Sequence, residues 1–452
     1  MDTSIFKAYD IRGLWLSQLN RQDAFVISRA FAVFVKELYA SENPKVIVGY
    51  DIRESSKEIF EAVVAGLSAE NCRAISIGLC STPLNYFANW HWRADASVMI
   101  TASHNPKGYN GLKLSLRGVM ALSEKNGVEA IKRASLNTGR EDDDFKGDYQ
   151  PKEDEAIKQY LNFLIDAAKG VNVSRFKIAV NCANGMIGPE FKRLADILKI
   201  DYQGIFMEPD GRFPNHEPNS LNEQAIRSLR NLMGRDKFDF GVIFDGDGDR
   251  MLVMTEKGEP IRNDFLIGLL GRSFTVSLGD KRMVCDCRIS RGVSEYLRES
   301  GIGIVRSKVG YPNVRKLMRE LDIFFGGELS GHFFWKDFSY SESVLLTLIR
   351  LMEILQEEKR NISGLIKPMQ NYFNSGELNF EIPDKEGTMA KLKEAYKKED
   401  QSFLDGLTVE CADWWFNARL SNTEPLLRLI VEAKTRELLK DKISELEGMI
   451  KS

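Results

Sequence analysis

Short apolar runs alternate with amphipathic stretches over the first three quarters of the chain, the pattern that repeated strand and helix units leave in a sequence. Residues 21–39 carry Phe25, Ala30, Phe31, Phe34, Val35 and Leu38 at helical spacing, and the strand-like KVIVGY follows from Lys45. Ser55 and Glu58 have the spacing of a capping box, which predicts a helix running to about Ala69. Strand-like segments recur at 73–77 and 96–101. The acidic stretch REDDDFKG at 140–147 has almost nothing apolar to bury and reads as a linker. A second α/β unit is predicted beyond it, with strands at 177–180 and 239–244 and helices at 189–198 and 221–233. A third contains RMVCDCRI, GIGIV and IFFGGELSGH and closes on a helix at about 341–357.

The texture changes after Lys359. NFEIPD, LTVECADWWFNARL and LLRLIVEA alternate as strands of an antiparallel sheet do, with a charged helix around 386–398 and a terminal helix from about Thr435. The reading is therefore an α/β fold: three α/β domains with mixed sheets, then a smaller C-terminal α+β domain. Each larger unit sends an apolar strand into a loop of small or polar residues: SVMITASHNP, FGVIFDGDGDR and IFFGGELSGH. Ligands gather at the carboxyl ends of strands in α/β sheets, so these loops are where chemistry is expected.

Composition narrows the classes. At about 100–200 residues per domain, 452 residues make three or four domains. Lys+Arg 62 against Asp+Glu 65 leaves a net charge of −3, so no strong field draws the chain to nucleic acid or an anionic membrane, and any anion site must be local. No apolar run reaches the length of a membrane helix and the start, MDTSIFKAYDIRG, lacks an apolar signal core, which points to a cytoplasmic protein. Cys72, Cys80, Cys182, Cys285, Cys287 and Cys411 form no CxxC pair; Cys285 and Cys287 read as buried packing.

The sharpest chemical signal is Asp245-Gly-Asp247-Gly-Asp249-Arg250 after a buried strand. Three carboxylates with flexible spacers can converge on one hard cation such as Mg²⁺, with Arg250 beside them for a phosphate. An EF-hand is the rival, with Glu256 at its last ligand position; it fails because Arg250 stands where the turn glycine is required and the flanks look like strands. Thr101-Ala-Ser103-His104-Asn105-Pro106 offers a serine beside an imidazole, either a phosphate acceptor or a small-residue turn. Glu328, Ser330 and His332 in GGELSGH suit a many-hydroxyl ligand such as a sugar, or a plain turn. Arg419, Ser421, Asn422 and Thr423 in RLSNTEP fit a phosphate cradle or a capped turn. Tyr9 and Arg12 in YDIRG and Lys113 in YNGLK stand beside glycines; each alone reads as a solvated surface residue.

Taken in order, FKAYDIRG, TASHNP, YNGLK, DGRFPNHEPN, DGDGDR, GGELSGH and RLSNTEP resemble one family over essentially the whole chain, the α-D-phosphohexomutases and within them the phosphomannomutase/phosphoglucomutase group. The resemblance implies four domains around a central cleft: a phosphoserine domain at 1–147, a metal-binding domain at 148–257, a sugar-binding domain at 258–366 and a phosphate-binding domain at 367–452. It makes Ser103 the phosphoserine and a Mg²⁺ ligand together with Asp245, Asp247 and Asp249. Arg250, Arg12, Tyr9, His104 and Lys113 would surround the reacting groups, with Lys113 and His332 as proton carriers. Glu328 and Ser330 would bind sugar hydroxyls, and Arg419, Ser421, Asn422 and Thr423 the phosphate distant from Ser103. Arg288 and Tyr311 stand at sugar-contacting positions that often read Lys and His in the mannose-type enzymes, while GELSGH resembles the mannose/glucose form of the specificity loop. The implied activity interconverts mannose 1- and 6-phosphates, and glucose phosphates, through a hexose 1,6-bisphosphate that also serves as activator; the implied enzyme is a monomer without nucleic-acid or membrane partners. A phosphoglucosamine mutase, a phosphoserine-forming metal phosphatase and a non-catalytic sugar-phosphate binder are the alternatives.

Overall fold

The computed structural model describes residues 1–137, 145–277, 279–420 and 426–451. The chain divides into two compact units, one of residues 1–261 and 330–363, the other of 262–329 and 364–452.

The first unit holds two mixed sheets. In the larger, Lys45–Tyr50 lies parallel to both Arg73–Leu79 and Ala96–Ile100, while Tyr109–Leu116 runs antiparallel to Ala96–Ile100 and to Ile11–Leu14. The central strands are buried on both faces, which is why VIV and SVMI read as continuous apolar runs. Helices Arg21–Tyr39 and Ser56–Ala69 pack on each other, and Asn20 starts the first with a reciprocal capping box to Asp23. The box expected at Ser55 and Glu58 does not form. Ser55 Oγ instead accepts from Asn110 Nδ2 at 2.8 Å, and the cap position makes no side-chain bond to its helix. The stretch read as a linker lies outside the described residues at 140–144; at its end Phe145 is half-buried, its ring centre 5.3 Å from that of Phe25.

The smaller sheet sets Phe240–Phe244 parallel to Lys177–Asn181 and antiparallel to Met251–Met254, with Asp201–Ile205 parallel at the edge. Both flanks of DGDGDR are thus strands, and Glu256 accepts from the Ser363 amide and hydroxyl, so the EF-hand reading fails on geometry. The segment expected to open a helix at 341 begins with the short strand Ser341–Glu342; the helix is Val344–Glu358, started by the Ser343 side chain. Phe87, Trp90, Tyr160, Phe163 and Phe338 stack and tilt against one another across this unit.

In the second unit, Arg282–Asp286 is parallel to Gly303–Ser307 and Phe325–Glu328. Cys285 and Cys287 are buried packing, as their sequence predicts. The C-terminal sheet is antiparallel throughout, with Leu426–Ala433 pairing with Trp414–Leu420, Leu378–Glu381 and Phe373–Asn374, and helix Arg436–Lys451 covering it. No helix among the described residues is long and apolar enough to cross a membrane.

Candidate functional site

Strand Ala96–Ile100 leads into Thr101, whose hydroxyl accepts the Ser103 amide at 2.8 Å and starts the loop. Ser103 itself sits in the left-handed region at φ 52°, an uncommon conformation for a residue with a Cβ. Its Oγ lies 3.3 Å from Asp245 Oδ2 and 3.3 Å from His104 Nδ1, so the single hydroxyl proton can go to only one of them. Arg12 Nη1 donates to Asn105 Oδ1 at 2.9 Å and to Ala102 O at 3.3 Å, and its Nη2 pairs with Asp10 at 2.7 Å.

The second loop needs its glycines. Asp245 Oδ1 accepts the amides of Gly248 and Arg250 at 3.0 and 3.1 Å, a turn that places Gly248 at φ +75°. A Cβ on Gly246 would meet the Ser103 carbonyl oxygen at 2.9 Å, so the two loops touch where that glycine leaves room. One oxygen each of Asp245, Asp247 and Asp249 lie within 4.8 Å of one another, and all three residues are buried. Asp247 Oδ2 accepts from Thr82 Oγ1 at 2.5 Å and from Lys113 Nζ at 2.6 Å; Lys113 Nζ also bonds Asp249 Oδ2.

Lys113 therefore corrects its surface reading: it is 3% exposed, and its ammonium sits between two of the carboxylates. Burial opposes its charge, but Asp247 and Asp249 outweigh burial and push its pKa well above the ordinary value. An ammonium held this way is a fixed cation and gives up its proton reluctantly. Burial, with Asp249 and Asp247 nearby, drives Asp245 well above the usual carboxylate range. Asp247 and Asp249 are held below it because Lys113 overcomes the same burial.

Two imidazoles complete the cluster, both neutral. The Arg250 charge, then burial, depresses His104; burial, then Arg250, depresses His332. Arg250 Nε donates to His332 Nε2 at 2.9 Å, which puts the His332 proton on Nδ1, 3.9 Å from Asp249 Oδ1 and 3.8 Å from Glu342 Oε1. Ser103, His104, Lys113, Arg12, Arg250 and His332 are thus gathered about the Asp triad. Tyr9 is half-buried in the turn before Ile11–Leu14, and Ser330 Oγ is buried without a hydrogen bond among the described residues.

The second unit has its own cluster. Arg288 Nε and Nη2 bind both oxygens of Asp286, at 2.9 and 3.0 Å, and Asp286 Oδ2 also accepts the Leu329 amide. Glu328 Oε1 accepts the Gly310 amide at 2.8 Å and lies 3.9 Å from Arg288 Nη2. Tyr311 opens the helix Tyr311–Leu321 with the Arg315 guanidinium 5.9 Å from its ring centre. Arg419 Nη2 binds Glu377 Oε2 at 2.5 Å, and Arg288 and Arg428 reach the same carboxylate at 3.4 Å. Ser421, Asn422 and Thr423 lie outside the described residues.

Several contributors escaped the sequence reading: Arg53, Thr82, Glu190, Asp286 and Glu377. Arg53, Asp286 and Thr82 all stand at or just past the carboxyl end of an apolar strand, the signal that could have found them. Glu190 accepts the Ser81 amide and hydroxyl at 2.9 and 2.8 Å, so the Ser81–Thr82 turn is gripped by a buried carboxyl on one side and by Asp247 on the other.

Known proteins align with this arrangement. The family descriptions phosphoglucomutase/phosphomannomutase alpha/beta/alpha domains I, II and III match residues 3–138, 140–258 and 262–372, and the C-terminal domain of the same family matches 377–447. A phosphomannomutase of Methanocaldococcus jannaschii is 34% identical over 450 residues, covering 99% of this chain and 98% of the relative. A phosphomannomutase of Vibrio cholerae serotype O1 is 33% identical over 463 residues, covering 100% and 99%. The crystal structure of a phosphoglucomutase/phosphomannomutase family protein from Burkholderia thailandensis superposes with a TM-score of 0.89 at 29% identity, covering 100% of this chain and 98% of that one.

Proposed function

The chain belongs to the phosphoglucomutase/phosphomannomutase family of α-D-phosphohexomutases, which are isomerases, and from that premise we infer that it interconverts mannose 1-phosphate and mannose 6-phosphate, with glucose phosphates as further substrates. The observation that carries this reading is the Ser103 hydroxyl, 3.3 Å from a carboxylate of a buried Asp triad and 3.3 Å from a neutral imidazole.

Mg²⁺ fits the triad. Asp247 Oδ1 and Asp249 Oδ1 are buried with no hydrogen-bond partner among the described residues, and hard oxygen donors are what this cation takes. When bound it supplies charge neutralisation to the phosphoryl oxygens, the main requirement of such a transfer. The protein's own groups do the rest. Ser103 carries the phosphoryl group; a sugar hydroxyl forms the new O–P bond as the Ser103 Oγ–P bond breaks. The proton that leaves the sugar hydroxyl is matched by the one that Ser103 Oγ takes up: neutral His104, with Nδ1 3.3 Å from Oγ, gives one ring proton to Oγ while its other nitrogen takes one up, and the imidazole ends the step neutral. Lys113, Arg250 and Arg12 offset negative charge, and neutral His332 is a proton holder kept in register by Arg250. Transfer from Ser103 gives a hexose 1,6-bisphosphate, and return of its other phosphate regenerates the phosphoserine. Arg288, Tyr311, Glu328 and Ser330 are proposed for the sugar, and Arg419 with Ser421, Asn422 and Thr423 for the distant phosphate.

The test is a coupled assay of mannose, glucose and glucosamine 1-phosphates with Mg²⁺ and a catalytic amount of hexose 1,6-bisphosphate. The expected result is the highest kcat/KM for mannose 1-phosphate, and turnover abolished in a folded Ser103→Ala variant. Preference for glucosamine 1-phosphate would move the substrate. Release of free phosphate with no isomer, or normal turnover without Ser103, would remove the mutase reading.

A further inference from the structure

Arg53 lies in the turn after the strand Lys45–Tyr50, and its side chain is 0% exposed. A guanidinium has five N–H donors in a fixed planar fork. Here Nη2 donates to the carbonyls of Ser103 and Asn105 at 2.8 and 2.7 Å, and Nη1 to those of Pro106 and Tyr109, both at 2.9 Å. The fifth donor, on Nε, goes to Asp51 Oδ2 at 3.1 Å. Four of the five therefore bind the backbone of a single loop, the one that carries Ser103.

The fork is itself aimed. Asp51 accepts the Arg53 amide at 3.1 Å and the Ser56 hydroxyl at 2.6 Å on its other oxygen, and its own amide bonds Ile100 O at the end of the strand leading into the Ser103 loop. The Phe213 ring stands 5.2 Å from the guanidinium carbon. Residue 103 meanwhile holds a left-handed backbone, which is strained for a non-glycine residue and persists only where surroundings over-determine it.

We propose that Arg53 is a positioning residue for phosphoryl transfer: by gathering the carbonyls of residues 103, 105, 106 and 109 it fixes the backbone of Ser103 and so aims its Oγ at the reacting phosphorus. This rests on Ser103 as the phosphoryl carrier. It does not touch substrate and moves no proton. Arginine is required because the role is geometric: a lysine has the same charge but three donors on one nitrogen, which cannot reach four separated carbonyls.

The test compares Arg53→Lys with wild type and with Val98→Ala, a control that weakens the same sheet at a buried position without touching the loop. Misplacement of a reacting atom by about 1 Å can cost on the order of 100-fold in rate. Arg53→Lys is expected to lose about that factor in kcat, corrected for folded fraction, with KM for mannose 1-phosphate within about threefold. Phosphorylation of Ser103 by hexose 1,6-bisphosphate, followed by intact-protein mass, slows in parallel. Val98→Ala lowers the melting temperature and leaves corrected kcat unchanged. If Arg53→Lys does not fold, Asp51→Asn, which loosens the Nε anchor, carries the test: a kcat loss of at least about tenfold at constant KM supports the proposal. Corrected kcat within threefold of wild type in the folded variant overturns it, as does a loss that simply follows the folded fraction. Were Ser103→Ala to retain turnover, the functional reading itself would fail, whatever Arg53 does.

Discussion

Lys113→Met should destabilise the metal-free protein more than the Mg²⁺-bound protein. The Lys113 ammonium lies 2.6 Å from Asp247 Oδ2 and bonds Asp249 Oδ2 in a site from which water is excluded, so at an effective dielectric of 20 each contact is worth about 6 kcal/mol before desolvation. Desolvation of three buried charges offsets most of that, and removing one partner of a buried pair costs about 3–5 kcal/mol because the other charge is left uncompensated. Methionine nearly matches the length of the lysine stem and removes the charge. Urea unfolding in EDTA should therefore show a deficit of about 3–5 kcal/mol.

The unbonded oxygens, Asp247 Oδ1 and Asp249 Oδ1, are those the lysine does not use, so a divalent cation can bind beside the ammonium, against its repulsion. In the variant that repulsion is gone. Mg²⁺ affinity by calorimetry should rise at least about tenfold, which is 1.4 kcal/mol. At a Mg²⁺ concentration 100 times the variant's Kd the cation returns about 2.7 kcal/mol to the variant and about 1.4 kcal/mol to the tenfold weaker wild type, so the deficit narrows by about 1.3 kcal/mol. Turnover should stay low, since a fixed cation beside the phosphoryl group is missing. An equal deficit with and without Mg²⁺, or weaker Mg²⁺ binding, would refute the idea that lysine and metal share one pool of carboxylate charge.

Two further outcomes follow from two carboxyls, Glu190, which is buried, and Glu377, which is partly exposed. Burial raises Glu190 from 4.5 to about 7 despite the Ser81 bonds, so the folded protein keeps this proton after the unfolded chain has lost it. Stability attached to this group is full below about pH 4.5 and falls as pH rises toward 7, by about 3 kcal/mol at 1.36 kcal/mol per unit. Glu190→Gln keeps both Ser81 contacts and should flatten that slope in urea midpoints measured at pH 5 and pH 8; an unchanged slope would assign it elsewhere. Glu377 holds Arg419, Arg288 and Arg428 as a ready-made counter-ion. In Glu377→Gln, inorganic phosphate should bind about five- to tenfold more tightly by calorimetry, a gain of about 1 kcal/mol typical of a charge-assisted bond no longer in competition. Weaker binding would mean that Glu377 orients the arginines instead of competing for them.

What the sequence made legible was local. Alternation and apolar runs located the strands, and the strand-end rule singled out TASHNP, DGDGDR and GGELSGH, because a loop at the carboxyl end of a buried strand is recognisable from a dozen residues. Partners were not legible. Taken alone, Lys113 reads as surface because it is an isolated polar group beside a glycine, and only the resemblance places it among the reacting groups; it is buried by carboxylates 134 and 136 positions away, and nothing in its segment records them. Ser55 and Glu58 had the right spacing for a cap, yet a side chain 55 positions on, Asn110, took the hydroxyl. The expectation that three aspartates need a cation was sound in principle and incomplete in detail: Lys113 supplies one positive charge from inside the protein, and two carboxylate oxygens remain unbonded. That division lets a buried triad fold without a metal ion. Arg53 shows the same limit from the other side, since its four carbonyl partners belong to backbone, which carries no residue identity for a motif to record. A reading by side-chain motif finds the groups that react, whereas the groups that aim them are found only by asking where each buried donor and each loop carbonyl is satisfied.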